Sequence, residues 1–162
     1  MSKSEKYLGV SIHYSKALNG LDGIIKMWDF KPVKGIGFIK KYTGHYAHIE
    51  LEIHNSKEEF KRNKIVYNIS ENQLPLIFRN EIEKTLQFFI SYLNAIKENM
   101  SEIIFVISDA TYHPVDSRPI DYQGATMYAI ADCFGKNFHN LSNSDKEVIK
   151  NCRIYSLNEK SE

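Results

Sequence analysis

Three groups of residues in this sequence have types and spacings that could do chemistry. The first is the stretch SDATYHPVDSRP, residues 108–119, in which Tyr112, His113 and Pro114 stand together between an apolar run and a helix-starting sequence. An aromatic ring and an imidazole exposed in such a turn can stack on flat groups and can donate or accept hydrogen bonds. The second is the alternating stretch 46–54, which puts His48, Glu50, Glu52 and His54 on one side. Imidazoles and carboxylates are the side chains of acid–base work and of metal sites. Residues at i, i+2 and i+4 of a strand fan out in a row without converging on one ion, so a solvated sheet face is the expectation. His45 and His48, three residues apart, lack further ligands at metal spacing. The third group is Cys133 with His113 or His139 as a nucleophile pair. Cys133 falls in the apolar part of a helical stretch, which favours a packed, inert thiol.

The elements that must position these groups can be read from periodicity. Residues 7–14 suit a first strand, and the stretch to about residue 37 is broken by Gly20, Gly23, Pro32, Gly35 and Gly37, which predicts irregular chain with one short helix or strand near residues 24–28. Trp28 and Phe30 are expected to pack. In 46–54, Ala47, Ile49, Leu51 and Ile53 point one way and the polar residues the other, the pattern of a half-buried strand. A charged insertion over 55–64 leads to a further strand at 65–69. From residue 74 to about 98, Ile82, Leu86, Phe89, Leu93 and Ile96 recur at helical spacing, and Pro75 suits a helix start. A strand over 103–108 precedes the turn. Asp116 or Ser117 then reads as the cap of a helix from Pro119 to Phe134, with small residues Gly124, Ala125, Ala129 and Ala131 for close packing and Gly135 as its stop. Residues 142–147 resemble a capped start to a third helix, and 153–157 a closing edge strand. Together these predict one α/β (α+β) two-layer sandwich, a mixed sheet with helices on one face, spanning residues 1–162 with ends 1–6 and 158–162 frayed.

With 162 residues, 43% of them hydrophobic and 25% charged, the chain can bury a core. A net charge of +1 is not that of a strongly basic nucleic-acid binder, so any RNA contact must be local; basic residues gather modestly at Lys34, Lys40 and Lys41 and at Lys57, Lys61, Arg62 and Lys64, where a solvated loop is the expectation. Only two cysteines, Cys133 and Cys152, argue for reduced thiols, and the absence of a long apolar run and of a secretory pattern leads to the expectation of a cytoplasmic protein without a membrane partner. No G-x-x-x-x-G-K-[ST] loop occurs, and Gly35-Ile36-Gly37 is too short for a dinucleotide fingerprint. Nucleotide, cofactor, metal and catalytic residues are therefore not expected.

Three stretches together resemble domain IV of elongation factor G and of the related ribosomal protection proteins. Where that family has GQYGHV opening a strand, this sequence has Gly44-His45-Tyr46-Ala47-His48-Ile49. Where it has IP and VEKGI opening a long helix, there are Leu74-Pro75 and Ile82-Glu83-Lys84-Thr85-Leu86. Where it has DGSYHxVDSS before an alanine-rich helix, there is Asp109-Ala110-Thr111-Tyr112-His113-Pro114-Val115-Asp116-Ser117. Order and approximate spacing agree over residues 38–135. The resemblance implies the ribosomal protein S5 domain 2-like fold, including its left-handed crossover. It also implies a tip that enters the decoding region of the small ribosomal subunit, with two loops touching RNA.

Those loops correspond to residues 40–46 and 112–114. The implied binding residues are Lys40, Lys41, Tyr42, His45, Tyr46, Tyr112, His113 and Pro114. Lys41-Tyr42-Thr43 replaces the family's Gly- and Arg-rich approach to the first loop, and Pro114 and Pro119 are additions to the second. The expected function is that of a stand-alone, non-catalytic module that binds ribosomal or other structured RNA, or a protein partner. The rivals are a small enzyme on an S5-like scaffold, using His113 with Asp116 or the His48–Glu50 face, and a remnant whose loops bind nothing.

Overall fold

Alternation in β2 (His45–Asn55) sets the architecture. Ala47, Ile49, Leu51 and Ile53 are all buried, while Tyr46, His48, Glu50, Glu52 and His54 on the other side are half-exposed. A computed structural model of the chain describes residues 18, 20–55, 62–97 and 101–137. Within them the elements run α1 (Asp22–Lys26), β1 (Val33–Lys41), β2, β3 (Lys64–Tyr67), α2 (Leu76–Ile96), β4 (Ile103–Thr111) and α3 (Pro119–Asn137). The expected strands at 7–14 and 153–157, the helix from 142, His139, Cys152 and both chain ends lie outside the described residues.

The four strands form one mixed sheet in the order β1-β2-β4-β3. β2 is antiparallel to both neighbours, and β3 runs parallel to β4 after the α2 crossover. The two long helices cover the face that buries Ile49, Leu51, Ile53, Phe105 and Ile107, where Ile82, Leu86, Phe89 and Leu93 of α2 are also buried. Phe89 is the hub of the layer, its ring 6.4 Å from Phe105 and 5.8 Å from Phe134 of α3. Trp28 stands edge-on to Phe134 and tilted against Phe30, so these two aromatics pack as expected.

The irregular stretch expected up to residue 37 is corrected by β1, which begins at Val33 and contains both Gly35 and Gly37. These glycines do not break the strand. They let α3 lie directly on it: a Cβ on Gly37 would stand 1.7 Å from the Ala125 carbonyl oxygen, and one on Gly35 would stand 2.3 Å from that of Ala129. Here glycine marks a close backbone approach. Gly135, expected to end α3, lies within it, because the helix continues to Asn137.

β4 is longer than expected, reaching Thr111. A register shift opposite Glu50 and Leu51 leaves Ser108 as an extra residue between Asp109 and Ile107. The bulge resets the alternation so that both Ile107 and Ala110 face the core. That extension carries the chain to the turn at 112–118.

Candidate functional site

β1 and β2 are joined by the three-residue turn Tyr42-Thr43-Gly44, flanked by the pair Lys41 and His45. Gly44 has φ +80, the left-handed conformation that such hairpin loops require at this position. The turn leaves Lys40, Lys41 and Tyr42 exposed, with the Tyr42 side chain entirely in solvent.

The turn after β4 is stitched to this hairpin. Ser117 Oγ accepts from the His113 N–H at 2.8 Å and donates to the Tyr46 carbonyl at 2.8 Å. The Tyr46 N–H in turn donates to the Asp116 carbonyl at 3.2 Å. Beneath them the buried Tyr122 hydroxyl donates to the Thr111 carbonyl at 2.8 Å, and burial pushes its pKa up to about 12, so it stays a donor. The expected capping of α3 by Asp116 or Ser117 is corrected here, since Ser117 is engaged in the stitch. Asp121, in the first helical turn, reaches back to accept the Arg118 N–H at 3.2 Å, the reciprocal half of a capping box. Asp121 also stands 2.8 Å from His45 Nδ1, so the half-buried His45 ring ties the hairpin to the helix.

The two loops enclose a cleft of about 390 Å³. Lys40, Lys41 and Tyr42 line one side of it and His113 and Asp116 the other, with His45 and Tyr46 also lining it. His113 is half-exposed, and its Nδ1 accepts the backbone N–H groups of Val115 at 3.3 Å and Asp116 at 3.1 Å. The neutral ring therefore carries its proton on Nε2, which is left to donate outward. α3 runs away from this end, so its positive dipole end also faces it.

Six of the residues singled out from sequence thus meet at one cleft: Lys40, Lys41, Tyr42, His45, Tyr46 and His113. Pro114 stands exposed in the adjoining turn. Tyr112 departs from the expectation of an exposed ring, because it is half-buried against Phe78, 5.4 Å between centroids, and packs on the core. Sequence reasoning missed Arg118, an exposed cation whose Nη2 would lie 3.8 Å from a Cβ on Gly44. Its position immediately before Pro119 was the available signal.

The rival chemistries fare differently. Asp116 Oδ2 is 3.5 Å from His113 Nδ1, but that nitrogen already faces two N–H groups and shares no proton with the carboxylate in the neutral ring. Cys133 is 1% exposed, on the sheet-facing side of α3 with Sγ 3.8 Å from the Leu51 carbonyl, away from the turn that holds His113. His45 and His48 point to opposite sides of β2, toward Asp121 and Thr111 respectively. His48 Nε2 stands 3.7 Å from Glu50 Oε1 on the open face of the sheet. Among the described residues no group of three or more His, Cys, Asp or Glu could hold a metal ion, and no helix is long and apolar enough to cross a membrane.

Against known proteins, the family model for elongation factor G, domain IV, matches residues 27–137. The crystal structure of a protein from Thermus thermophilus is similar, with a TM-score of 0.51 and 18% identity over 65% of this chain. The similar part is 16% of that chain. No curated protein matches in sequence.

Proposed function

Because the chain belongs to the family of elongation factor G domain IV, we propose that its two-loop end binds RNA of the small ribosomal subunit, at the decoding region, and catalyses no reaction of its own. The observation that carries this reading is the stitch through Tyr46, Asp116 and Ser117. It presents two lysines, an exposed tyrosine and an outward imidazole N–H around a single cleft. Those groups answer to RNA: ammonium groups neutralise phosphate, a free ring stacks on an unpaired base, and the Nε2–H donates to a phosphate or 2′-hydroxyl oxygen. The near-zero net charge keeps the electrostatic part local, so affinity is modest and fades as salt rises.

The test is co-sedimentation with small ribosomal subunits over a salt series. Lys40→Ala and Lys41→Ala should each flatten the dependence of log affinity on log salt by up to about 0.7–0.9. His113→Ala should weaken binding about three- to tenfold without abolishing it, as expected for one lost hydrogen bond. No binding by the wild type, or binding that ignores both salt and these substitutions, refutes the reading.

A further inference from the structure

The sheet has one face under the helices. Its other face carries no helix or strand among the described residues. Near the tip that face consists of two rows across the strands. In the first, Lys40 stands opposite Tyr46; in the second, Phe38 stands opposite His48, which pairs in turn with Thr111. Phe38 is 51% exposed in spite of its size. Its ring meets Tyr46 edge-on at 5.7 Å and His48 at 6.2 Å, and the Thr111 hydroxyl is hydrogen-bonded to both of those partners, at 2.8 Å to Tyr46 Oη and 3.1 Å to His48 Nδ1. The three rings are therefore held in place before anything binds.

We infer that this part of the open face is a stacking platform for single-stranded RNA, continuous with the tip cleft; the inference rests on the reading of the tip as an RNA-binding end. Lys40 and Tyr46 line the cleft and also begin the platform, so a strand whose phosphates meet Lys40 and Lys41 has Phe38 next in its path. Charge selects this occupant. The two rows nearest the tip hold a cation, three rings and a hydroxyl, with no carboxylate. Acidic residues begin one row further on with Glu50, opposite Ile36. Glu52 stands 3.5 Å from Lys34, while Glu50 lies beside His48 with no lysine or arginine paired to it among the described residues, so the acidic half of the face ends the platform. A face that buried itself against a second copy would need a broader apolar centre than Phe38 and Ile36 supply. Every base offers a π-face to a fixed ring, and a ring already ordered loses little entropy on binding.

The experiment uses the full chain and fluorescence anisotropy of a labelled oligouridylate and of a fully paired RNA hairpin. Urea midpoints verify that each variant folds, which Phe38 permits because it points away from the core. The wild type should prefer the oligouridylate. Phe38→Ala and Phe38→Leu should each weaken that binding roughly five- to a hundredfold without changing its salt slope, while Phe38→Tyr stays within about twofold. Lys41→Ala should flatten the salt slope for both RNAs. If the Phe38 variants bind as the wild type does while Lys41→Ala is weakened, the platform is overturned and the tip reading stands. Phe38→Leu equal to the wild type, or a change of self-association in Phe38→Ala, also overturns it, by pointing to plain apolar contact or to a second copy. If the wild type binds neither RNA, the platform is overturned, and the tip reading stands or falls separately on co-sedimentation with small subunits.

Discussion

Replacing Gly37 with alanine sets backbone preference against packing, and the two point in opposite directions. Alanine within a strand loses less conformational entropy than glycine, which alone would stabilise the fold by roughly 0.5–1 kcal/mol. In this fold the new Cβ would stand 1.7 Å from the Ala125 carbonyl oxygen, 2.6 Å from its carbonyl carbon and 3.0 Å from the Ala129 nitrogen. All three obstacles are helix backbone, so no side chain can rotate aside. α3 must retreat from β1 by more than about 1 Å before ordinary van der Waals distances return. Overpacking costs about 1–3 kcal/mol where side chains can adjust, so a value near the top of that range, about 3 kcal/mol net, is expected here. With a urea slope of about 2 kcal/mol/M, the unfolding midpoint should fall by about 1.5 M. Because α3 begins at the tip and carries Asp121, the partner of His45, the same retreat should also weaken RNA binding. A Gly37→Ala protein whose midpoint equals or exceeds that of the wild type would refute the close contact of helix and strand.

Tyr42→Ala and Tyr112→Ala should separate two roles: loss of the fully exposed Tyr42 ring weakens binding to small subunits with an unchanged urea midpoint, while loss of the half-buried Tyr112 ring against Phe78 costs about 1–2 kcal/mol of stability, less than a fully buried aromatic would. Lys97→Met should cost about 1 kcal/mol in urea unfolding, since Lys97 Nζ donates to the carbonyls of Ile25, Lys26 and Trp28 at 3.2, 2.9 and 2.8 Å and so closes the C-terminal end of α1. Burial pushes Tyr122 from 10.0 up to about 12 and also raises Tyr67 and Tyr92, so the folded protein holds protons that the unfolded chain releases. That stabilisation is complete below the unfolded value and is lost as pH rises through the folded one. Urea midpoints should therefore fall between pH 10 and about 12, and fall less steeply in Tyr122→Phe.

What the sequence disclosed followed from regular periods. β2 and α2 could be read because one face of each is continuously apolar, and Ile49, Leu51, Ile53, Ile82, Leu86, Phe89 and Leu93 share the core as their spacing requires. β1 could not be read, because the two inward positions between Val33 and Ile39 are Gly35 and Gly37. A glycine that breaks a strand and one that admits a helix look the same until Ala125 and Ala129 are seen against them. The end of β4 was hidden by the bulge at Ser108, which shifts the alternation by one residue. At the tip, the resemblance drew attention to both loops, while the cross-connections depend on residues 65 to 76 positions apart in sequence. The packing of Tyr112 is hidden for the same reason, since its partner Phe78 lies on a different element. Phe38 alternates outward two residues from Lys40, but that spacing has a direction only once β1 is known to be a strand.

Whether the stitched tip touches RNA is asked directly by a photoreactive benzoylphenylalanine placed at Tyr42. A second protein carries the same group at Asn94, an exposed position near the far end of α2. Each is irradiated with small ribosomal subunits, and the crosslinked component is identified. If the tip binds as proposed, position 42 crosslinks to ribosomal RNA, the product is lost as salt is raised, and position 94 gives none. Equal crosslinking from both positions, or a position-42 product confined to ribosomal protein, would contradict RNA binding by the tip.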